Sequence, residues 1–175
     1  MSPSLDRAAG SRLDAREIVR AAGAGALATL MMDAAMTAAS VVGGPAFTSK
    51  RLAPEIIGRW AAGLVHGRCR HEDIMSEEPV PGELALGLAT HYATGIVLTE
   101  AFVITARRSR HPLPSAVVYG VATAALPLLV LFPSLGYGWF GVRSGESARL
   151  TRTMLVGHVA FGAGIGIFAR RFVRR

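Results

Sequence analysis

The sequence predicts an all-α polytopic membrane protein with four transmembrane helices and one interfacial amphipathic helix. The 175 residues are 51% hydrophobic, with a mean hydropathy of +0.38. Only 18% of the residues are charged, whereas an average soluble domain has about 25%. The apolar residues gather in four runs, each close to the roughly 20 helical residues that cross a hydrocarbon core. Segments rich in charge, proline and glycine separate these runs.

Composition and charge exclude several classes of protein. The chain has 19 basic and 12 acidic residues and a formal charge of +7. The basic residues cluster between long uncharged runs and form no single stripe, so we expect no nucleic-acid partner. The one cysteine excludes an internal disulfide framework. We find no phosphate loop, nucleotide fingerprint or serine nucleophile elbow, and we therefore expect no enzymatic activity.

The first apolar run covers residues 21–44 and follows a polar segment, residues 1–20. A cleaved signal peptide has an apolar region of only about 7 to 15 residues. We therefore interpret the run as a retained transmembrane helix, and the segment before it as a cytoplasmic N-terminal extension. Gly44 and Pro45 end the helix.

Residues 54–66 have the spacing of an amphipathic helix that is too short to cross a bilayer. Pro54 suits the first helical turn, and about 13 residues reach only about 20 Å. We predict an interfacial helix with Trp60 near the headgroups; the alternative is a helix packed on the end of a neighbouring helix. The following stretch, residues 66–73, is expected to be a solvated loop with its arginines at the lipid headgroups.

Three further spans complete the predicted transmembrane domain, residues 21–170. A basic cluster at residues 107–111 ends the second span, and Pro127 is expected to kink the third. The segment 134–147 is glycine-rich and irregular, and residues 171–175 form a basic C-terminal tail. The three spans are residues 83–106, 114–132 and 150–168.

The distribution of basic residues predicts the orientation. With four spans, the termini and the 107–113 loop share one side, which carries 11 Lys and Arg residues against 8 on the other. Because cytoplasmic segments are enriched in Lys and Arg, we predict that both termini are cytoplasmic.

A few ionisable residues lie inside the predicted spans. A charge at the bilayer centre costs roughly 3 kcal/mol on insertion scales, so such groups are expected to face other helices and to find partners. At a rise of 1.5 Å per residue, Asp33, His91 and His158 each fall about 18 to 20 Å from the cytoplasmic surface. We therefore predict one buried polar layer in which these three side chains point inward.

Other residues are predicted to support this layer or to pack the helices. Pro127 falls at the same depth, whereas Glu100 falls near the cytoplasmic end, where Arg107 and Arg108 can pair with it. Small residues allow membrane helices to approach closely. The candidate supporting residues are Tyr92, Glu83, Glu100 and Pro127, and the candidate packing residues are Gly87, Gly95, Gly162 and Gly166.

Three interpretations of the Asp-His-His layer remain open. It is a structural network, in which Asp33 fixes the tautomer of one histidine and the other histidine bonds a carbonyl or Tyr92. Alternatively, it is a proton or ion relay, because carboxylate–imidazole pairs titrate easily. In the third interpretation, His91 and His158 bind haem or a divalent metal, with Asp33 as a third ligand or as a counter-charge. The first two interpretations need no cofactor.

Motifs along most of the chain resemble one bacterial family. They include Gly58-Arg59-Trp60, His66-Gly67-Arg68, His71, Pro79-Val80-Pro81-Gly82-Glu83, Gly87, His91-Tyr92, Gly95-Ile96, Pro127, Pro133, Gly136, Gly138, Arg149, His158 and Phe161-Gly162, with Met32-Asp33 in the first span. The chain is similar to the uncharacterised inner-membrane protein family called domain of unknown function 2938. The resemblance implies a four-span inner-membrane protein and implies no activity.

The sequence thus favours a non-enzymatic membrane protein. We expect an accessory or assembly subunit of a larger membrane complex, or a small homo-oligomer, in contact with the lipid bilayer. A chain of this size leaves little room for a substrate cavity, and its glycine faces suit helix association. The alternatives are a proton- or ion-coupled transporter or channel, and a haem- or metal-binding redox protein.

Overall fold

The structure, a computed structural model, describes residues 14–106 and 111–169. This part of the chain is helical and contains no β-strand, which confirms the all-α prediction. Shorter helical turns connect five main helices. The main helices are α1 (Ala15–Gly43), α2 (Pro54–Val65), α3 (Glu83–Ala106), α4 (Pro112–Thr123) and α5 (Ser147–Phe168).

Four helical segments are long and apolar enough to cross a membrane, as the sequence predicts. The first begins earlier than expected because Asp14 and Glu17 form a capping box at its start, which satisfies two of the unpaired backbone N–H groups. The third extends α4 past a break at Pro127. The four segments are Ala15–Ala46, Glu83–Ala106, Pro112–Ser134 and Ser147–Phe168.

Pro127 changes the helix type in the third segment. The regular α-helix ends at Thr123, and Pro127–Leu131 form a π-helical turn before a last α-helical turn, Phe132–Ser134. Proline has no backbone N–H and its ring clashes with the preceding turn, so the α-helical hydrogen bonds cannot run through it. The distortion that the sequence predicts at Pro127 is therefore a π-helical turn.

Helices α1 and α5 form the centre of the bundle. Helix α1 packs on both α3 and α5, and α5 packs on α4. Helices α3 and α4 meet mainly through Tyr119, whose hydroxyl donates to the Leu98 carbonyl at 2.8 Å. Its ring lies 5.2 Å from that of Phe102. This aromatic contact closes the bundle opposite the α1–α5 contact.

The predicted packing glycines lie where helices touch. A Cβ on Gly95 would overlap the Thr29 hydroxyl of α1, and one on Gly162 would lie 2.5 Å from the Ala116 carbonyl of α4. Gly166 contacts Leu113 of α4 in the same way. In the bundle, glycine thus sets the distance between neighbouring backbones.

Helix α2 packs on the beginning of α3. A Cβ on Gly58 would overlap the carbonyl of Glu83, and one on Gly87 would overlap the carbonyl of Pro54. Gly87, predicted as a packing residue, therefore joins α3 to α2 and not to another candidate span. The alternative interpretation of residues 54–66, a helix packed on the end of a neighbouring helix, describes this contact.

The buried apolar residues form two clusters, which we call the bundle core and the cap core. Met36 contacts both clusters. The bundle core consists of Ala21, Ala24, Ala28, Met32, Phe102, Val103, Ala116, Phe161, Ile165 and Ala169. The cap core consists of Ile56, Ile74, Ala124, Leu128, Phe132, Leu135, Tyr137, Leu150 and Met154.

The segment between α2 and α3 folds against the segment between α4 and α5. The backbone N–H of His71 donates to the Ser134 carbonyl at 2.8 Å, and that of Ile74 donates to the Leu135 carbonyl at 3.2 Å. The prediction of a solvated loop over residues 66–73 is therefore wrong for His71, which is buried, although most of the other residues are exposed. The two segments together form a packed cap at one end of the bundle.

Candidate functional site

Asp33 on α1 and the consecutive His91 and Tyr92 on α3 form a hydrogen-bonded group. Asp33 lies one turn beyond Thr29, where Gly95 brings α3 close to α1. His91 Nε2 lies 2.9 Å from Asp33 Oδ1, and the Tyr92 hydroxyl donates to Asp33 Oδ2 at 3.1 Å. An ionised carboxylate only accepts hydrogen bonds, so when Asp33 is ionised, His91 donates from Nε2.

This group is open at the flank of the bundle. The side chain of Asp33 is 37% exposed and that of His91 is 24% exposed. The neighbours one helical turn from Asp33, Leu30 and Thr37, are also exposed, as is Thr94 one turn beyond His91. The carboxylate therefore lies at the α1–α3 seam, where a molecule beside the bundle can reach it.

His158 has a different partner. Its Nδ1 lies 3.0 Å from the Thr123 hydroxyl, which also lies 2.7 Å from the Gly120 carbonyl. A hydroxyl has one hydrogen, so when Thr123 donates to Gly120 the imidazole donates to Thr123. The His158 side chain is buried against Phe161. The structure thus brings Asp33 and His91 together and gives His158 a separate hydrogen bond to α4.

His158 and Thr123 lie at one level of the bundle. On α5, Met154 belongs to the cap core and Phe161 to the bundle core, and His158 lies between them. On α4, Thr123 lies between Ala116 of the bundle core and Ala124 of the cap core. The polar side chains therefore occupy the boundary between two apolar clusters.

The other predicted supporting residues lie elsewhere. Glu83 pairs with Arg59 at the start of α3. The side chain of Glu100 makes no hydrogen bond or ion pair with any residue of 14–106 or 111–169, and its expected partners, Arg107 and Arg108, lie outside the described residues. Pro127 begins the π-helical turn of the third segment.

No three His, Cys, Asp or Glu side chains gather closely enough to hold a metal ion in the part of the chain that the structure describes. In His91 and His158, one ring nitrogen of each is already engaged by Asp33 or Thr123. Chemically, the group at the seam can move a proton between carboxylate and imidazole. It can also accept a hydrogen bond from an incoming donor.

Sequence reasoning missed the role of Arg59, the most connected charged side chain of the cap. Its Nε and Nη2 donate to the two carboxylate oxygens of Glu83 at 2.9 and 3.0 Å. Its Nη1 donates to the carbonyls of Ile74 and Glu77 at 3.0 and 2.8 Å. The hydrogen bond to Glu83 raises the pKa of Arg59 more than burial lowers it. Arg59 therefore ties α2, the connecting segment and α3 together.

His71 and Tyr137 are two further buried polar residues of the cap. His71 Nδ1 pairs with Glu77 Oε1, whose other oxygen lies 3.2 Å from Arg68 Nη2. Burial raises the pKa of Tyr137 to about 12, and the Arg51 guanidinium lies 5.1 Å from its ring centre. Arg59 and His71 belong to the motifs that carry the family resemblance, although neither lies in a predicted span. Their presence in these motifs was the signal in the sequence that could have identified them. Tyr137 had none.

The comparisons with known proteins add one finding. The family model described as "Protein of unknown function (DUF2938)" matches residues 22–173, which include the group at the α1–α3 seam and the whole cap. No curated protein and no solved structure matches the chain. Because the match covers most of the sequence, the chain belongs to the DUF2938 family of proteins of unknown function.

Proposed function

We propose that this chain is an integral membrane protein without enzymatic activity that works as a subunit of a homo-oligomer or of a larger membrane complex. It associates with another transmembrane helix through the α1–α3 face that carries Asp33, His91 and Tyr92. One observation carries this proposal: a hydrogen-bonded carboxylate is 37% exposed on helices that are long and apolar enough to span a membrane.

The free energy of a charge in lipid supports association. An uncovered charge at the bilayer centre costs roughly 3 kcal/mol on insertion scales, and a partner helix that covers the seam reduces this cost. Each oxygen of Asp33 accepts one hydrogen bond from α3 and keeps a second lone pair for a donor on the partner. Exposed small side chains at Ala34, Ala93 and Thr94 allow a neighbouring helix to approach.

The association is tested with Asp33→Ala in native membranes and in mild detergent. Hydrogen bonds between membrane helices contribute about 0.6 to 2 kcal/mol, so we expect the variant to associate roughly 3- to 30-fold more weakly. Native mass spectrometry and single-molecule photobleaching in vesicles measure the distribution of assemblies. Glu100→Gln is the matched control, because this α3 carboxylate has no partner among the described residues. An unchanged distribution for Asp33→Ala contradicts the proposal.

Proton-coupled transport is the second candidate, and the Asp33–His91 hydrogen bond favours it. A carboxylate–imidazole pair that is open on one side is a group that can load and release a proton. Proton flux into vesicles containing the purified protein, with Asp33→Asn and His91→Gln for comparison, distinguishes the candidates. Flux that both substitutions abolish, without a change of assembly, favours transport over the subunit role.

A further inference from the structure

The loop before α5 carries three exposed apolar side chains at its tip. Trp139, Phe140 and Val142 are 69%, 46% and 66% exposed. The base of the same loop is buried, because Tyr137 lies in the cap core and Gly141 packs on Leu150. An apolar tip on a firmly packed base indicates a contact surface. The residues around the tip indicate what this surface contacts.

The backbone at this tip adopts a strained conformation. Phe140 has a φ of 54°, and it is the only non-glycine residue with a positive φ among residues 14–106 and 111–169. The left-handed conformation is unfavourable for a residue that has a side chain. The Phe140 carbonyl accepts a hydrogen bond from the Ser147 hydroxyl at 2.8 Å, and Gly138 and Gly141 provide positive φ on either side. The fold therefore holds this conformation despite its cost.

The hydrogen bonds also fix the level of the tip. The Phe140 carbonyl lies 2.8 Å from the Ser147 hydroxyl and 3.5 Å from that of Thr151, both in the first two turns of α5. The loop thus folds back beside the beginning of a candidate span and does not extend beyond it. In a bilayer, this level is the boundary between the acyl chains and the headgroups.

Positive charges accompany the apolar side chains at this level. Arg143 and Arg152 are exposed, and the Arg152 guanidinium lies 5.7 Å from the ring centre of Phe47. Aromatic residues and arginines gather at membrane interfaces, where rings insert among the headgroups and guanidinium groups meet phosphates. The combination fits a lipid surface.

We propose that Trp139, Phe140 and Val142 form an interface anchor, which inserts into the headgroup–acyl boundary of the leaflet on the cap side. Its partner is the phospholipid bilayer. This inference rests on the membrane insertion in the proposed function and does not depend on association through Asp33. The anchor fixes the depth of the loop between the third and fourth spans.

The chain has two tryptophans, which allows a direct test. Trp60→Phe leaves Trp139 as the only indole, and Trp139→Phe leaves Trp60, whose ring nitrogen is buried in the cap. Each variant is reconstituted into vesicles of phosphatidylcholine and phosphatidylglycerol. Its fluorescence is then quenched by aqueous iodide, or by lipids brominated near the headgroup or near the chain end. Vesicle flotation after alkaline extraction first establishes that the protein is integral.

For the variant that keeps Trp139, we expect strong quenching by bromine near the headgroup, weaker quenching by bromine near the chain end, and weak quenching by iodide. Strong iodide quenching without an effect of bromine places Trp139 in water and overturns the inference. Protection from all quenchers means that protein covers the tip, which also overturns it. If the protein fails to float with the vesicles, the proposed membrane insertion itself is wrong.

Discussion

At the scale of single residues, Arg59 stabilises the cap through four hydrogen bonds. Removing it leaves Glu83 and two carbonyl groups without their donor, and breaking a buried ion pair costs about 3 to 5 kcal/mol. We therefore expect Arg59→Ala to lower the unfolding temperature strongly. Arg59→Lys should have a smaller but clear effect, because an ammonium keeps the charge and loses the two-pronged contact with Glu83.

Thermal unfolding in detergent measures these effects. Arg68→Ala is the matched control, since the Arg68 side chain is 58% exposed and an exposed ion pair contributes at most about 1 kcal/mol. If Arg59→Ala is no more destabilising than Arg68→Ala, Arg59 does not hold the cap together.

Glu77 gives the cap a pH-dependent stability. Burial raises its pKa, but the hydrogen bond from His71 and the charges of His71 and Arg68 lower it below the ordinary 4.5. A lowered folded-state pKa adds stability above the ordinary value, and this stability is lost as the pH falls from 4.5 through the folded-state value. The unfolding temperature of Glu77→Gln should therefore fall less steeply with decreasing pH than that of the wild type.

The measurement is thermal unfolding between about pH 6 and about pH 3, where carboxylates take up protons. Glu78→Gln provides the comparison, because the Glu78 side chain is exposed and makes no ion pair or hydrogen bond with the described residues. If the unfolding temperatures of wild type and Glu77→Gln fall equally steeply with decreasing pH, Glu77 does not give the cap its pH-dependent stability.

Residue-level prediction from sequence is most direct where one helix determines the position. Depth along a span follows from residue spacing, so arithmetic alone placed Asp33 and His91 at one level, and the structure puts them 2.9 Å apart. The partner of His158 depends on the rotation of α5 against α4. That rotation is set by the contact of Gly162 with Ala116 and Gly120, which no sequence period reveals.

At the scale of secondary-structure elements, the long helices were predictable and the cap was not. Apolar runs and Pro127 mark the spans because helix length and proline geometry are local properties. The cap depends on contacts between distant segments, such as the hydrogen bond from His71 to Ser134. The local polarity of residues 66–73 therefore predicted a solvated loop, whereas the fold buries His71.

The contact of α2 with α3 leads to a prediction about glycine. A Cβ on Gly58 or Gly87 would overlap backbone atoms of the other helix, and these atoms cannot move aside as a flexible side chain does. We expect Gly58→Ala and Gly87→Ala each to destabilise the protein by about 1 to 3 kcal/mol, the usual cost of overpacking.

Gly23→Ala serves as the control for this substitution, because a Cβ there meets no atom within 4 Å and alanine is the better helix former. Unfolding temperatures of the three variants decide the matter. If all three are as stable as wild type, α2 is not held at this distance from α3.

At the scale of the whole molecule, two apolar cores meet at a polar boundary. The bundle core lies among the four candidate spans, whereas the cap core includes α2 and both connecting segments. Hydrogen bonds from His91 to Asp33 and between His158 and Thr123 link different helices of the bundle. These bonds join the helices of the bundle in pairs, and the α1–α3 pair leaves one carboxylate accessible from the side.

The orientation of this arrangement in the membrane gives the last prediction, which uses the exposed Cys69. Cys69 lies between the first and second candidate spans, so four crossings are expected to put it on the side opposite both termini. Because the excess of Lys and Arg predicts cytoplasmic termini, we expect a membrane-impermeant maleimide to label Cys69 from outside the membrane. Ser109→Cys in a Cys69→Ser background should react only after the membrane is opened, since residue 109 lies in the loop predicted to be cytoplasmic. Labelling in the reverse order would show that the protein has the opposite orientation, with the cap on the cytoplasmic side of the membrane.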